Sequence, residues 1–191
     1  MAGRGSAGTP TTYTIYSDAA DDYTASTPTA GDGAGGSPAG GDIYCGMNTG
    51  TAYQAYLSFD TSTVVGTITA VTLSLYGIND SSTTDFTLEA RPYNWGASVA
   101  VADWRSAATF GSLTLLASTP TSGWVTSAYN ALTSQAAFLS NINQSGTTYL
   151  VLASDRYRTG ATPIVAEFVG FRSRDTGDTT TGPKLVIDAL V

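Results

Sequence analysis

Gly170-Phe-Arg-Ser-Arg-Asp-Thr-Gly-Asp-Thr-Thr-Thr-Gly-Pro-Lys-Leu-Val-Ile-Asp-Ala-Leu-Val191 runs from an arginine–aspartate cluster, through a polar turn, into a final apolar strand. Segments 149–153, 164–171 and 185–191 carry few polar positions, which predicts strands in the middle of a sheet. Upstream, Tyr53-Gln-Ala-Tyr-Leu-Ser-Phe59 alternates: Tyr53, Ala55, Leu57 and Phe59 share one face, and Gln54, Tyr56 and Ser58 the other. Val71, Leu73 and Leu75 oppose Thr72, Ser74 and Tyr76, and Phe86, Leu88 and Ala90 oppose Thr87, Glu89 and Arg91. A period of two marks half-buried antiparallel strands.

Further strands are expected at 13–16, 43–47, 113–117 and 123–125, with Gly, Asn, Asp and Ser clusters between runs at hairpin-like spacing. One segment departs from this pattern. Tyr129, Leu132, Ala136 and Leu139 recur at helical spacing behind Thr126 or Ser127 as N-cap, predicting one short helix across an end of the fold. Eight to ten strands with one helix predict an all-β protein, an antiparallel two-sheet jelly-roll sandwich. Residues 1–12 read as a flexible N-terminal arm, 13–191 as a single domain, and 30–42 as a glycine-rich loop within it.

Composition narrows the function. Only 12% of the 191 residues are charged, against a usual figure of about 25%. Thr, Ser, Ala and Gly fill the difference, and neutral hydroxyls cost less than charges to desolvate in an assembly. The net charge is −7 and Lys184 is the single lysine, so neither nucleic acid nor an anionic membrane is expected as a partner. There is no histidine, which removes the commonest general base and metal ligand and excludes Ser-His and Cys-His catalysis. Cys45 is alone, so no internal disulfide forms. It reads as a small buried hydrophobe. No run is apolar enough to span a membrane, and the opening Met-Ala-Gly-Arg-Gly-Ser-Ala-Gly lacks the apolar region of a signal peptide.

Six motifs in order resemble one family. They are Tyr16-Ser-Asp-Ala-Ala-Asp-Asp-Tyr23, Tyr56-Leu-Ser-Phe-Asp60 and Ile68-Thr-Ala-Val-Thr-Leu-Ser-Leu-Tyr76, then Asn94-Trp95 with Val101-Ala-Asp-Trp104, then Gly123-Trp-Val-Thr126, and finally Phe171-Arg-Ser-Arg-Asp175 leading to Pro183-Lys-Leu-Val-Ile187. Together they resemble the DNRLRE-type carbohydrate-binding-module-like domains, from about residue 13 onward. Asp175 stands where that family usually has Glu, and the glycine-rich loop is unusually long. The resemblance implies a non-catalytic jelly roll. Its members include sugar binders, cell-surface proteins and virion parts, so fold does not settle function.

Several residues are candidates for sites. Tyr44, Tyr56, Tyr76, Trp95, Trp104 and Tyr157 are candidates for stacking on sugar rings, against the ordinary alternative that they fill the core or pack across strands. Asp18, Asp21 and Asp22 offer hard oxygen ligands for a structural calcium ion, the one cofactor suggested; the alternative is a solvated turn. Asp60, Arg172, Arg174 and Asp175 are expected to form an ion-pair cluster fixing the final strand. Glu89 and Glu167 are the only glutamates. They are expected on separate strands, with Glu89 facing Arg91 or a cross-strand arginine rather than serving a glycosidase. The leading expectation is a non-catalytic structural protein of a bacteriophage particle, a capsid decoration or virion-surface component. Its partners would be copies of itself and neighbouring virion proteins, with a surface glycan compatible. The alternative is a secreted, extracellular bacterial carbohydrate-binding or adhesion module.

Overall fold

The computed structural model describes residues 8–18, 22–26, 42–174 and 180–191, with the backbone path alone for 22–26. The alternation read in the sequence becomes strand after strand. These are β1 (Pro10–Tyr16), β2 (Asp22–Ser26), β3 (Asp42–Asn48), β4 (Thr51–Asp60), β5 (Thr67–Ser82), β6 (Thr87–Pro92), β7 (Ala117–Pro120), β8 (Tyr129–Ala131), β9 (Thr133–Ser134), β10 (Thr147–Ser154), β11 (Glu167–Arg172) and β12 (Lys184–Leu190). All pairings are antiparallel. One hydrogen-bonded path runs β1-β12-β5-β11-β3-β4-β10-β6-β7-β9, with β2 on β4 and β8 on β5. The three runs poor in polar residues lie in the middle: β10 between β4 and β6, β11 between β3 and β5, β12 between β1 and β5.

The path curls so that its two halves meet across one core. Leu73, Leu75, Val169, Phe171, Leu185 and Ile187 from one half cluster with Leu57, Phe59, Leu88, Leu150 and Leu152 from the other. Each such burial contributes about 1.5–3 kcal/mol. Cys45 lies in this core, and burial pushes its thiol up to about 12. We therefore expect no labelling by a thiol reagent in the native state and full labelling in denaturant. Native labelling at the denatured rate would contradict the placement.

A second cluster sits on the opposite face of β4 and β10. There the connection 93–116 lays Trp95, Trp104 and Phe110 over Tyr56, Val151 and Ala153. Gln54, fully buried, stitches it down: its Oε1 accepts from the Arg105 N–H at 3.0 Å, and the Tyr56 hydroxyl donates to the Asp103 carbonyl at 3.0 Å.

Four expectations are corrected, the first being the strand expected at 113–117, where β7 begins only at Ala117. The helix expected over 129–139 is replaced by β8 and β9, and only the four-residue α2 (Ala137–Ser140) is helical there. Asn130 closes its own loop instead, accepting from the Val125 N–H at 2.8 Å and donating to the Val125 carbonyl at 2.9 Å. Two other short helices, α1 (Ala107–Ser112) and α3 (Asp155–Arg158), begin at Ser106 and Ser154, whose hydroxyls cap Thr109 and Tyr157. Segment 123–125 is a 3-10 turn and its exit, not a strand. Residues 10–12, read as part of the arm, belong to β1, and Thr9 exchanges backbone hydrogen bonds with Val191 at 2.7 and 3.0 Å. Residues 1–7 lie outside the described residues, as does the glycine-rich loop apart from Asp42.

Candidate functional site

Four neighbouring strands, β5, β11, β3 and β4, present a common face away from the core. On β3, Ile43 and Cys45 point inward, so Tyr44 points outward. The register sets Gly170 opposite both Tyr44 and Asn79, and Gly46 opposite both Phe168 and Tyr53. These two glycines make room for the rings. A Cβ on Gly170 would lie 3.0 Å from Tyr44 Cε1 and 3.1 Å from Asn79 Cβ. Gly46 has φ +127°, and a Cβ there would meet the Glu167 carbonyl at 2.3 Å.

Phe168 meets Tyr44 nearly edge-on, with centroids 5.6 Å apart and planes at 88°; it meets Tyr53 at 5.8 Å and 62°. Tyr44 and Tyr53 lie 6.4 Å apart at 55°. With Asn79 these three rings line a concavity of about 190 Å³. All four side chains are half-buried. The Ser81 hydroxyl donates to Asn79 Oδ1 at 2.7 Å. Farther along the same face, Arg172 Nη1 reaches Asp42 Oδ1 at 3.4 Å in an exposed pair. The arrangement combines aromatic surface, which suits C–H groups, with an amide for a polar group beside them.

Of the stacking candidates, only Tyr44 belongs to this site. Tyr76 is half-buried and packs edge-on against Tyr129 at 5.4 Å, with Lys184 Nζ 3.8 Å from the Tyr129 ring centre. Tyr56, Trp95, Trp104 and Tyr157 are at most 5% exposed, which removes them as stacking surfaces. Tyr56 does point away from the main core, but the 93–116 connection covers it. Burial pushes the Tyr157 phenol up to about 12, and its hydroxyl donates to the Arg105 carbonyl at 2.9 Å.

Tyr53, Asn79 and Phe168 were missed by sequence reasoning. Tyr53 had been grouped with Ala55 and Leu57. It parts from them because β4 pairs with β3 only over 51–53 and runs along β10 from Ala55 onward.

Among the described residues, Asp60 pairs with neither arginine of the expected ion-pair cluster. Asp60 is exposed and accepts from the Ser62 N–H at 3.1 Å; hydrogen bonds from Ser62 hold its carboxyl below the usual range. Arg172 turns to Asp42, and the Arg174 guanidinium lies 5.3 Å from the Tyr16 ring centre. Asp175 lies outside the described residues. So does Asp21, along with the side chain of Asp22, two of the three expected calcium ligands. Asp18 is half-buried, and its N–H donates to the Ser58 carbonyl at 2.8 Å. Among the described residues, no three His, Cys, Asp or Glu side chains gather as a metal site.

The ion pairs of the two glutamates centre on α3. Arg156 reaches Glu167 at 2.5 Å, and Arg158 grips both oxygens of Glu89 at 2.9 Å each. Arg91 adds a contact to Glu89 at 2.9 Å, and Asp155 accepts from the Thr87 N–H at 2.9 Å. One helical turn thereby ties β6 to β11, and both glutamates are neutralised by arginine. The sequence held a hint: Asp155-Arg-Tyr-Arg158 supplies two arginines, and the chain has two glutamates.

No family model matches the chain, and neither does any curated protein. Among solved structures, the chain is similar to one described as showing the structural basis for the promiscuous specificity of carbohydrate-binding modules from the β-sandwich superfamily. The two share 13% identity at a TM-score of 0.25, over 96% of this chain and 56% of that one. The chain thus spans little more than half the length of that structure. It is the geometry of the aromatic face, not this likeness, that carries a functional conclusion.

Proposed function

We propose that the chain is a non-catalytic binding module whose outer face on β5, β11, β3 and β4 takes a carbohydrate. In this reading the curled sheet is a jelly roll of the DNRLRE type, and its ligand is an extracellular or cell-surface glycan. The observation that carries it is the convergence of Tyr44, Tyr53 and Phe168 with Asn79 around one concavity. Pairing aromatic surface with a few polar groups is how proteins hold ligands that have both apolar and hydroxyl-bearing parts.

The test is binding of the full chain to a panel of neutral oligosaccharides, alongside Tyr44→Ala. Loss of that ring is expected to weaken binding roughly tenfold or more, about 1.4 kcal/mol per decade. Binding that is indifferent to Tyr44, Tyr53 and Phe168 would remove the site.

A second reading, a capsid decoration or other virion-surface protein of a bacteriophage, is favoured by the sparsely charged chain, at 12%. It predicts a closed oligomer of copies of itself, or assembly on a particle. Light scattering after size exclusion tests the first of these, and addition of candidate capsids tests the second. A monomer that adds to no particle would end this reading.

A further inference from the structure

The three rings of the aromatic face do not make a flat shelf. Their planes stand at 55° to 88° to one another, so they wall a notch. A flat shelf suits the face of a pyranose ring. A notch with walls at steep angles suits a small apolar knob, of which a methyl group is the simplest.

The polar member of the notch is equally selective. The Ser81 hydroxyl takes one of the two lone pairs of Asn79 Oδ1, while no described residue accepts from Nδ2, so the two Nδ2 protons are the larger part of what the amide has left for a ligand. The group that fits therefore has a hydrogen-bond acceptor beside a methyl. Charge narrows it further. The chain carries −7 overall, and Arg172, a cation on this face, is engaged by Asp42, so a carboxylate sugar is disfavoured.

We propose that the ligand is a neutral glycan bearing an acetamido group, with the acetyl methyl in the notch of Tyr44, Tyr53 and Phe168 and its carbonyl accepting from Asn79 Nδ2. This rests on the carbohydrate-binding reading above and names the substituent that reading leaves open. The acetamido group supplies acceptor oxygen and methyl on one carbon, as the notch and the amide require. A hydroxyl in its place would leave the ring walls empty of contact.

The experiment measures affinity of the full chain for matched pairs of neutral oligosaccharides. N-acetylglucosamine tetramer is set against cellotetraose, and the galacto-configured counterparts likewise, with fucose- and rhamnose-containing probes added. The expected result is roughly tenfold tighter binding of the acetamido members. Asn79→Asp, which keeps the shape and the Ser81 contact but offers no donor, should erase that preference. Equal binding of acetamido and hydroxyl members that Tyr44→Ala abolishes would overturn the acetamido assignment and leave the carbohydrate reading standing. So would a preference for the 6-deoxy probes that Asn79→Asp does not change. Binding to none of the probes would overturn both.

Discussion

Replacing Glu89 by alanine is expected to lower the stability of the folded chain by about 3–5 kcal/mol, the usual cost of leaving buried charge without its partner. Glu89 is 5% exposed and its carboxylate serves two guanidinium groups. Arg158 is about one-third exposed at its side chain and can turn toward water. Arg91 cannot: its side chain is 8% exposed, its guanidinium lies 5.0 Å from the Phe110 ring centre, and it also donates to the Leu113 carbonyl. The alanine variant therefore strands a cation in the 93–116 cover and loosens α3 from β6, leaving the Asp155–Thr87 hydrogen bond between them. Urea unfolding should show a lower midpoint at an unchanged slope. Asp42→Asn, which breaks the exposed pair with Arg172, should cost less than about 1 kcal/mol. A Glu89→Ala cost as small as that would mean the α3 clamp does not hold the fold.

Gly77→Ala is the second large effect, expected to exceed about 3 kcal/mol because it forces backbone apart rather than emptying a space. A Cβ at position 77 would lie 2.3 Å from the Val125 carbonyl oxygen, 2.8 Å from Asn130 Nδ2 and 2.9 Å from Trp124 Nε1. The 124–130 loop rests directly on this glycine. Gly77 N–H donates to the Ala128 carbonyl at 2.9 Å and its carbonyl accepts from the Ser127 N–H at 2.7 Å. The added methyl group must lift the loop, and with it the Trp124 side chain that closes the core. Thermal unfolding of the variant should fall by several degrees for each kcal/mol lost. A melting temperature equal to that of the parent chain would show that the loop does not sit on β5 as described.

The strands were readable because burial on one face imposes a period of two. Leu57 and Phe59, Leu73 and Leu75, and the apolar runs of β10, β11 and β12 all follow from it. What lies over the other face leaves no such period. Tyr56 was read correctly as pointing away from the core, yet nothing local says that residues 93–116 will cover it. The helix at 129–139 was misread because Tyr129, Leu132, Ala136 and Leu139 match helical spacing by coincidence. Pairing of Ser74–Tyr76 with β8 and the Asn130 side-chain bonds offered the backbone a better alternative.

The ion-pair reading joined Asp60 to Arg172, Arg174 and Asp175; among the described residues, Arg172 takes Asp42 instead of Asp60. The partners Glu89 and Arg158 are 69 positions apart. The aromatic face was legible only through Tyr44. Phe168 and Asn79 join it because β11 lies between β3 and β5, a neighbour relation that single-strand patterns do not encode.

The most direct test of the carbohydrate-binding reading is a titration of the isotope-labelled chain with an oligosaccharide that binds, followed by backbone amide shifts. Shifts should concentrate at Tyr44, Tyr53, Asn79, Phe168 and Gly170, and should vanish in Tyr44→Ala. Shifts clustered elsewhere, for instance along the groove between 69–72 and 131–136, with those five amides unmoved, would contradict it.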